Sequence, residues 1–314
     1  MIARTMLCAA ALAGLAGCSA ATLDGAETQE TTAPPPVDRP TPAANIATQA
    51  AMTAPPLPPP LRPDFTEIDG QFTQGGWMRG RVPSTTQALV LDGAPVALDG
   101  AGRFFAAFDR DASRDALLIA RLADGRETRR VLSIAPRDWQ IERVNIARSA
   151  GGPSASFMER RRPELEAIGA ARSVNSQSDG WKQDFIWPAK GRISGRFGSQ
   201  RIYRGEPGSY HSGLDIATGE SGTPFVAPAD GVVVLATERP FSLEGYLLII
   251  DHGMGLNSAF LHCSQIAVRE GETVRQGQYV GNIGSTGRAT GPHLHWGLKW
   301  NDARLDPLLF VGDE

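Results

Sequence analysis

All five histidines of this 314-residue chain lie in one stretch, from residue 211 to residue 295. Four of them belong to motifs that could bind a metal ion and move protons: His211-Ser-Gly-Leu-Asp215, His262 after an apolar run, and His293-Leu-His295. Two imidazoles and one carboxylate can occupy three corners of a zinc tetrahedron and leave the fourth for water. The two remaining imidazoles would then be free to accept and donate protons. The pattern therefore predicts metal-assisted hydrolysis.

The pair His293 and His295 is typical of a β-strand that presents a site. Successive side chains of a strand point to opposite faces, so the two imidazoles share one face. Leu294, Trp296 and Leu298 alternate with them and are expected on the core face. Because the other face of this strand is apolar and is expected to be fixed in the core, we interpret His293 and His295 as functional residues rather than structural ones.

His211 and Asp215 need a turn between them if they are to bind the same ion. Four residues of straight strand span about 13 Å, and Gly213 makes a helix unfavourable. We therefore expect a turn at Ser212 and Gly213. Taken alone, the pair is better explained as a surface histidine and a turn aspartate, because this spacing is common by chance. The downstream histidine pair favours the metal site.

Two residues near these motifs are interpreted as structural. Cys263 follows His262, which raises the alternative of a thiol nucleophile. Neighbours on a strand face opposite sides, however, so we expect Cys263 to be a small buried side chain. His252 precedes Gly253 and is expected in a turn at a strand end.

The elements that must position these residues are predicted to be β-strands. Apolar stretches between glycines and prolines predict strands at 192–197, 214–217, 231–237, 246–251, 256–262 and 294–300. No long amphipathic helix is predicted in this region. The fold class is therefore predicted to be mainly β.

Five segments of this region follow one another in the order and spacing of a known family. They are His211-Ser-Gly-Leu-Asp215-Ile-Ala, Gly222-Thr-Pro-Phe-Val-Ala227, Asp230-Gly-Val-Val233, Asp251-His-Gly253 and Thr286-Gly-Arg-Ala-Thr-Gly-Pro-His-Leu-His295. They resemble the lysostaphin/LytM-type peptidases, peptidase family M23. The resemblance covers roughly residues 184–311. It implies that residues 184–314 form an antiparallel β domain with a zinc groove.

The same resemblance implies roles for the motif residues. His211, Asp215 and His295 correspond to zinc ligands, and His262 and His293 correspond to a catalytic pair. The implied activity is endopeptidase cleavage of the peptide cross-links of bacterial peptidoglycan. The D-Ala–diaminopimelate bridge of diderm bacteria is the expected bond, and the glycyl-glycine bridge that relatives cleave in other walls is the alternative.

Two departures from the family bear on substrate preference rather than on the metal ligands. Phe260 stands where a tyrosine is usual, and Trp296-Gly297 stands where an aromatic residue and a glutamate are frequent. An alternative is a non-catalytic LytM-like module that binds or activates another wall hydrolase, with a protein regulator as partner. Such modules typically lose ligands, whereas here all five positions are filled. A third alternative is an enzyme held latent by its own N-terminal part.

The first 64 residues predict a targeting segment and a tether. Residues 1–17 combine Arg4 with a short apolar stretch and end in Leu15-Ala16-Gly17, directly before Cys18. This resembles a bacterial lipobox, which implies lipidation of Cys18 and, with Ser19, favours the outer membrane. The alternative is a plain secretory signal. Residues 18–64 are rich in Ala, Thr and Pro, which is typical of a disordered tether. The chain is thus predicted to be periplasmic and lipid-anchored.

An accessory domain and a bridge are predicted between the tether and the peptidase-like region. In residues 65–148, short apolar stretches alternate with Asp-Gly turns, which predicts a small β-sandwich-like domain. Residues 149–183 predict a helical bridge with a capping box at Ser156 and Glu159 and a kink at Pro163. The formal net charge of −3 provides no basic field, so no nucleic-acid partner is expected.

Overall fold

The computed structural model describes residues 65–83, 85–147 and 152–312. The predicted signal, the Cys18 anchor and the tether lie outside these residues. Within them, no helix has the length and apolar character needed to cross a membrane.

The N-terminal part is built from two small antiparallel sheets. The first contains β1 (Thr66–Gly70), β2 (Trp77–Arg81) and β5 (Arg103–Ala107), and the second contains β3 (Thr86–Leu91), β4 (Ala94–Val96), β6 (Asp115–Leu122) and β7 (Glu127–Ser133). Asp92 and Gly93, which join β3 to β4, both have positive φ, 49° and 85°, as a two-residue hairpin turn of the primed type requires. Met78, Phe104 and Leu118 are fully buried between the sheets.

A helix, α1 (Ala155–Ser173), follows the accessory part. The Oγ of Ser154 caps it by accepting a hydrogen bond from the N–H of Phe157 at 3.2 Å. The predicted capping box at Ser156 is therefore wrong, because the helix begins earlier and Ser156 already lies in its first turn. Pro163 lies inside α1, which continues on both sides of it.

The C-terminal part is organised around one large antiparallel sheet. Its strands lie in the order β18 (Thr273–Val274), β14 (Gly231–Ala236), β15 (Tyr246–Asp251), β16 (Leu256–Cys263), β20 (Leu294–Trp300), β12 (Leu214–Ala217) and β9 (Arg192–Gly195), with β21 (Ala303–Leu305) beside β20. The predicted strands 214–217, 246–251 and 294–300 coincide with β12, β15 and β20. The mainly β fold with antiparallel sheets is confirmed.

Two smaller sheets complete the fold. One contains β13 (Pro224–Val226), β19 (Tyr279–Asn282) and β17 (Gln265–Ile266), and the other contains β11 (Glu206–Tyr210), β10 (Gln200–Tyr203) and β8 (Ile141–Val144). β8 pairs with β10 in parallel, although β8 precedes α1 in the chain and β10 follows it.

The accessory and C-terminal parts share buried contacts. The ring of Phe310 lies 5.4 Å from that of Trp77 and 6.3 Å from that of Phe105, centre to centre. The indole N–H of Trp77 donates to the carbonyl of Leu309 at 2.8 Å. The two predicted domains therefore share one hydrophobic core. That they are separate domains remains a proposal.

Candidate metal centre

Two neighbouring strands bring Asp215 and His295 together. β12 and β20 are antiparallel, and their register places these two residues directly opposite each other. Paired residues on one face of such strands have side chains within contact distance. The alternation along β20 buries Leu294, Trp296 and Leu298, as predicted, and therefore turns His295 to the opposite face.

His211 joins them because the chain bends between β11 and β12. Gly213 lies at this bend, where the sequence predicted a turn. A Cβ at Gly213 would lie 2.6 Å from the carbonyl oxygen of Trp296 and 2.7 Å from the Nε2 of His295. No larger residue fits there without a shift of the backbone. Gly195 on β9 is similarly confined, by the Asp215 carboxylate, and sequence reasoning did not single it out.

Three ligand-type atoms converge at this point. The Nε2 of His211 lies 3.0 Å from the Oδ1 of Asp215 and 3.1 Å from the Nδ1 of His295. The Oδ1 of Asp215 and the Nδ1 of His295 are 2.9 Å apart. A tetrahedral ion with bonds of about 2.0–2.1 Å would hold its ligand atoms about 3.3 Å apart. The triangle is slightly smaller than that, and it fits one face of such a coordination sphere.

The hydrogen bonding of His211 supports the fit to a cation. Its Nδ1 lies 3.1 Å from the carbonyl oxygen of Arg196, which can only accept, so Nδ1 carries the proton. In the neutral ring, Nε2 then directs a lone pair at Asp215 and His295. Burial alone would raise the pKa of Asp215, but hydrogen bonds from His211 and His295 in their protonated forms outweigh it and hold that pKa well below its ordinary value. A bound cation would take the place of those protons.

His262 reaches the site through a β-bulge. On β16, Phe260 pairs with Trp296 and lies in the core, so strict alternation would turn His262 into the core as well. The register of β15 and β16 shifts here, and His262 has a φ of 63°, which is costly for a residue with a side chain. Bulges of this kind re-aim a side chain. The His262 ring consequently lies 4.9 Å from the His293 ring, centre to centre.

Backbone carbonyls fix the rings of His262 and His293 in the same way. The Nδ1 of His262 lies 2.8 Å from the oxygen of Thr286, and that of His293 lies 2.8 Å from the oxygen of Gly291. Each Nδ1 must therefore donate, which leaves Nε2 with a lone pair. The Nε2 of His293 is 3.8 Å from the Oδ1 of Asp215. Burial lowers the pKa of His262 and thereby favours its neutral form.

The two residues interpreted as structural lie in the core. The His252 ring is fully buried and bonds the carbonyl of Asp230 at 2.8 Å and the hydroxyl of Ser258 at 2.7 Å. Burial lowers its pKa to about 4. Burial raises the pKa of the Cys263 thiol to about 12, so the thiolate that a nucleophile requires does not form near neutral pH.

Comparison with known proteins agrees with this geometry. The sequence profile of peptidase family M23 matches residues 209–307, a segment that contains His211, Asp215, His262, His293 and His295. A crystal structure of an M23 peptidase from Pseudomonas aeruginosa superposes with a TM-score of 0.58 and 28% identity, over 77% of this chain and 95% of that one. The comparisons thus identify an M23 peptidase domain within the C-terminal part of this chain, over residues 209–307.

Curated relatives are similar over part of this chain. Peptidoglycan DD-endopeptidase ShyA of Vibrio cholerae is 40% identical over 114 residues, which are 35% of this chain and 25% of ShyA. A lipoprotein NlpD/LppB homolog of Pseudomonas aeruginosa is 37% identical over 134 residues, 42% of this chain and 40% of the relative. The chain thus spans between a quarter and two fifths of the length of these relatives.

Proposed function

We propose that the chain is a zinc-dependent endopeptidase that cleaves the peptide cross-links of bacterial peptidoglycan. The observation that carries the proposal is the triangle of His211, Asp215 and His295, with edges of 2.9–3.1 Å. Beside it lie the rings of His262 and His293, 4.9 Å apart. The name of the relative ShyA, a peptidoglycan DD-endopeptidase, supports the substrate class.

The triangle would hold the zinc ion through the Nε2 of His211, the Oδ1 of Asp215 and the Nδ1 of His295. With these three protein ligands, a bound zinc ion would lower the pKa of water and polarise the scissile carbonyl. The carbonyl of Arg196 orients the His211 ring from behind, as partners of metal-binding histidines commonly do.

His262 and His293 are the proposed proton carriers. His262 is neutral near pH 7 because burial lowers its pKa, so its Nε2 can accept a proton from the attacking water. His293 places its Nε2 3.8 Å from the Oδ1 of Asp215. From its protonated form it would return a proton to the leaving nitrogen, and the proton that His262 takes from water would then restore the pair, whose rings lie 4.9 Å apart. The carbonyls of Thr286 and Gly291 keep both rings in the required tautomer.

The bond that we propose is the D-Ala–diaminopimelate cross-link. The DD-endopeptidase name of ShyA and the name DD-carboxypeptidase/endopeptidase Mpg of a Neisseria meningitidis relative support a bond between D-centres. A non-catalytic module, the other reading of the sequence, has less support because the candidate ligand and catalytic positions are all filled.

The decisive assay uses purified protein and defined cross-linked muropeptide dimers. We expect conversion to monomers by hydrolysis of the cross-link, loss of that activity after treatment with a chelator, and recovery when zinc is added. Liquid chromatography with mass spectrometry identifies the bond. Absence of hydrolysis by zinc-loaded protein, or hydrolysis that survives removal of all metal, would refute the proposal.

We also propose that the enzyme acts in the cell envelope and is held to a membrane, by preference the outer one, through lipidated Cys18. The lipoprotein name of the NlpD/LppB homolog supports this location. Labelling with palmitate should mark the wild-type chain and not Cys18→Ala, which should leave the membrane fraction. Equal labelling of both chains would contradict the anchor.

A further inference from the structure

Helix α1 packs over the sheet beside the candidate metal centre and leaves a recess there. It lies against β14 and β15, and the recess has a volume of about 270 Å³. Leu165 and Ile168 line it from the helix, and Leu261 and His295 line it from the sheet. We call this cavity the α1 recess. Because His295 is one of its walls, a group bound in the recess would lie next to the scissile bond of a substrate.

The walls of the α1 recess carry an excess of positive charge. Arg161, Arg172, Lys299 and Arg304 line it, with Glu244 as the acidic residue among them. Both carboxylate oxygens of Glu244 already accept hydrogen bonds from Arg161, each at 2.6 Å. Glu244 is therefore committed to Arg161 and can do little to neutralise the other three cations.

Arg172 is the strongest indication that the positive charge of the α1 recess binds an anion. In the part of the chain that the structure describes, its Nε is buried and has no hydrogen-bond partner. Burial lowers the pKa of Arg172, the charge of Arg304 lowers it further, and Glu244 offsets this only in part. Holding a desolvated guanidinium without full pairing costs free energy, and a ligand with a negative charge would recover it.

The other two cations are also available to a ligand. Lys299 contacts Asp302 at 3.3 Å, but the Asp302 side chain is fully exposed, and such surface pairs are weak. The guanidinium of Arg304 lies 5.4 Å from the centre of the Tyr210 ring, a contact that leaves its charge uncompensated. The three side chains can thus act on one anion in the recess.

We propose that the α1 recess is an anion subsite that receives a carboxylate of the peptide substrate, held by Arg172, Lys299 and Arg304. The inference rests on the proposed function and adds to it a determinant of specificity. In a D-Ala–diaminopimelate cross-link, the carbon bonded to the scissile nitrogen carries a free carboxylate. Cleavage beside His295 therefore brings a carboxylate close to the recess, and guanidinium groups bind carboxylates through paired hydrogen bonds.

The test compares two muropeptide dimers that are identical except that this carboxylate is replaced by a carboxamide in one of them. We expect the full-length wild type to cleave the carboxylate form with a kcat/KM higher by about tenfold or more, since charge-assisted hydrogen bonds are the stronger ones. Arg172→Gln and Arg304→Gln should each reduce this ratio toward one, mainly through KM, without loss of bound zinc. Arg172→Lys, which keeps the charge, should retain part of the preference.

Arg160→Gln is the matched control, because Arg160 lies on α1 with its side chain exposed and outside the recess. It should keep the wild-type ratio. Arg304 is also exposed, so its variant provides a test even if Arg172→Gln fails to fold. Equal cleavage of both dimers by the wild type, or an unchanged ratio in the Arg172 and Arg304 variants, would overturn the subsite alone. Failure of the wild type to cleave either dimer would instead refute the proposed function.

Discussion

At the scale of single residues, the site depends on which nitrogen of each imidazole carries the proton. Backbone carbonyls accept from the Nδ1 of His211, His262 and His293, so each of these rings has an unprotonated Nε2 in its neutral form. His295 differs, because its Nδ1 faces Asp215. The backbone of Arg196, Thr286 and Gly291, which lie in loops beside the strands, thereby sets the tautomers of side chains that are far apart in sequence.

His252 gives a prediction about stability and pH. Its pKa is lowered from 6.5 to about 4 by burial in the folded chain, whereas the unfolded chain keeps the ordinary value. Between these two pH values the unfolded state binds a proton that the folded state does not. Folding stability therefore falls as the pH drops through this window, by up to about 3 kcal/mol from this residue.

His252→Gln removes this titration. The variant should be less stable than the wild type near pH 7.5, because it disturbs the bonds to Asp230 and Ser258, but it should lose less stability between pH about 7.5 and about 5. Urea unfolding of chelator-treated protein at both pH values measures the difference and keeps metal release out of the comparison. The same pH slope in both proteins would contradict the assignment.

At the scale of elements, the strands that carry the site residues could be predicted from the sequence. The bulge and the close backbone contacts within those strands could not. The alternation of Leu294, Trp296 and Leu298 with the histidines predicted β20 and its faces, because burial on one side imposes a period of two. The bulge at His262 has no such signature: alternation alone would place that ring in the core. The confinement of Gly195 by Asp215 also depends on a contact between distant segments.

Arg110 of the accessory part is predicted to position His211. Its guanidinium is buried and donates to the carbonyl of Gly198 at 3.2 and 3.0 Å. The N–H of Gly198 donates in turn to the carbonyl of His211 at 2.9 Å. We expect Arg110→Ala to cost about 1.5–3 kcal/mol of stability, the range for hydrogen bonds of a charged group, and to weaken zinc binding.

Arg129→Ala is the control for this prediction, because Arg129 is an exposed arginine of β7 that pairs with Glu127 at 2.8 Å. Arg129→Ala should change neither the free energy of unfolding nor the zinc affinity measurably, because surface ion pairs contribute little to stability. Denaturant unfolding reports stability, and competition with a chromophoric chelator reports zinc affinity. If Arg110→Ala bound zinc as tightly as the control, the proposed positioning role would be wrong.

At the scale of the whole molecule, we propose that the accessory part and the C-terminal part fold as one unit. Trp77 and Phe105 pack on Phe310, and β8 pairs with β10. We therefore expect one cooperative unfolding transition, with equal calorimetric and van't Hoff enthalpies. The sequence predicted separate regions because linker composition is visible in it, whereas contacts across the boundary are not. Two resolved transitions in a calorimetric scan would contradict this expectation.

The central claim about the site is that His295 binds the metal ion whereas His293 transfers protons. Measuring the metal content of variants tests this claim most directly. Zinc is measured by mass spectrometry in the wild type, His293→Ala and His295→Ala after loading and removal of excess metal, with muropeptide cleavage followed in parallel. We expect about one zinc ion per chain in the wild type and in His293→Ala, very little in His295→Ala, and cleavage in the wild type alone. A His293→Ala protein that holds no zinc, or a His295→Ala protein that retains it, would contradict the account.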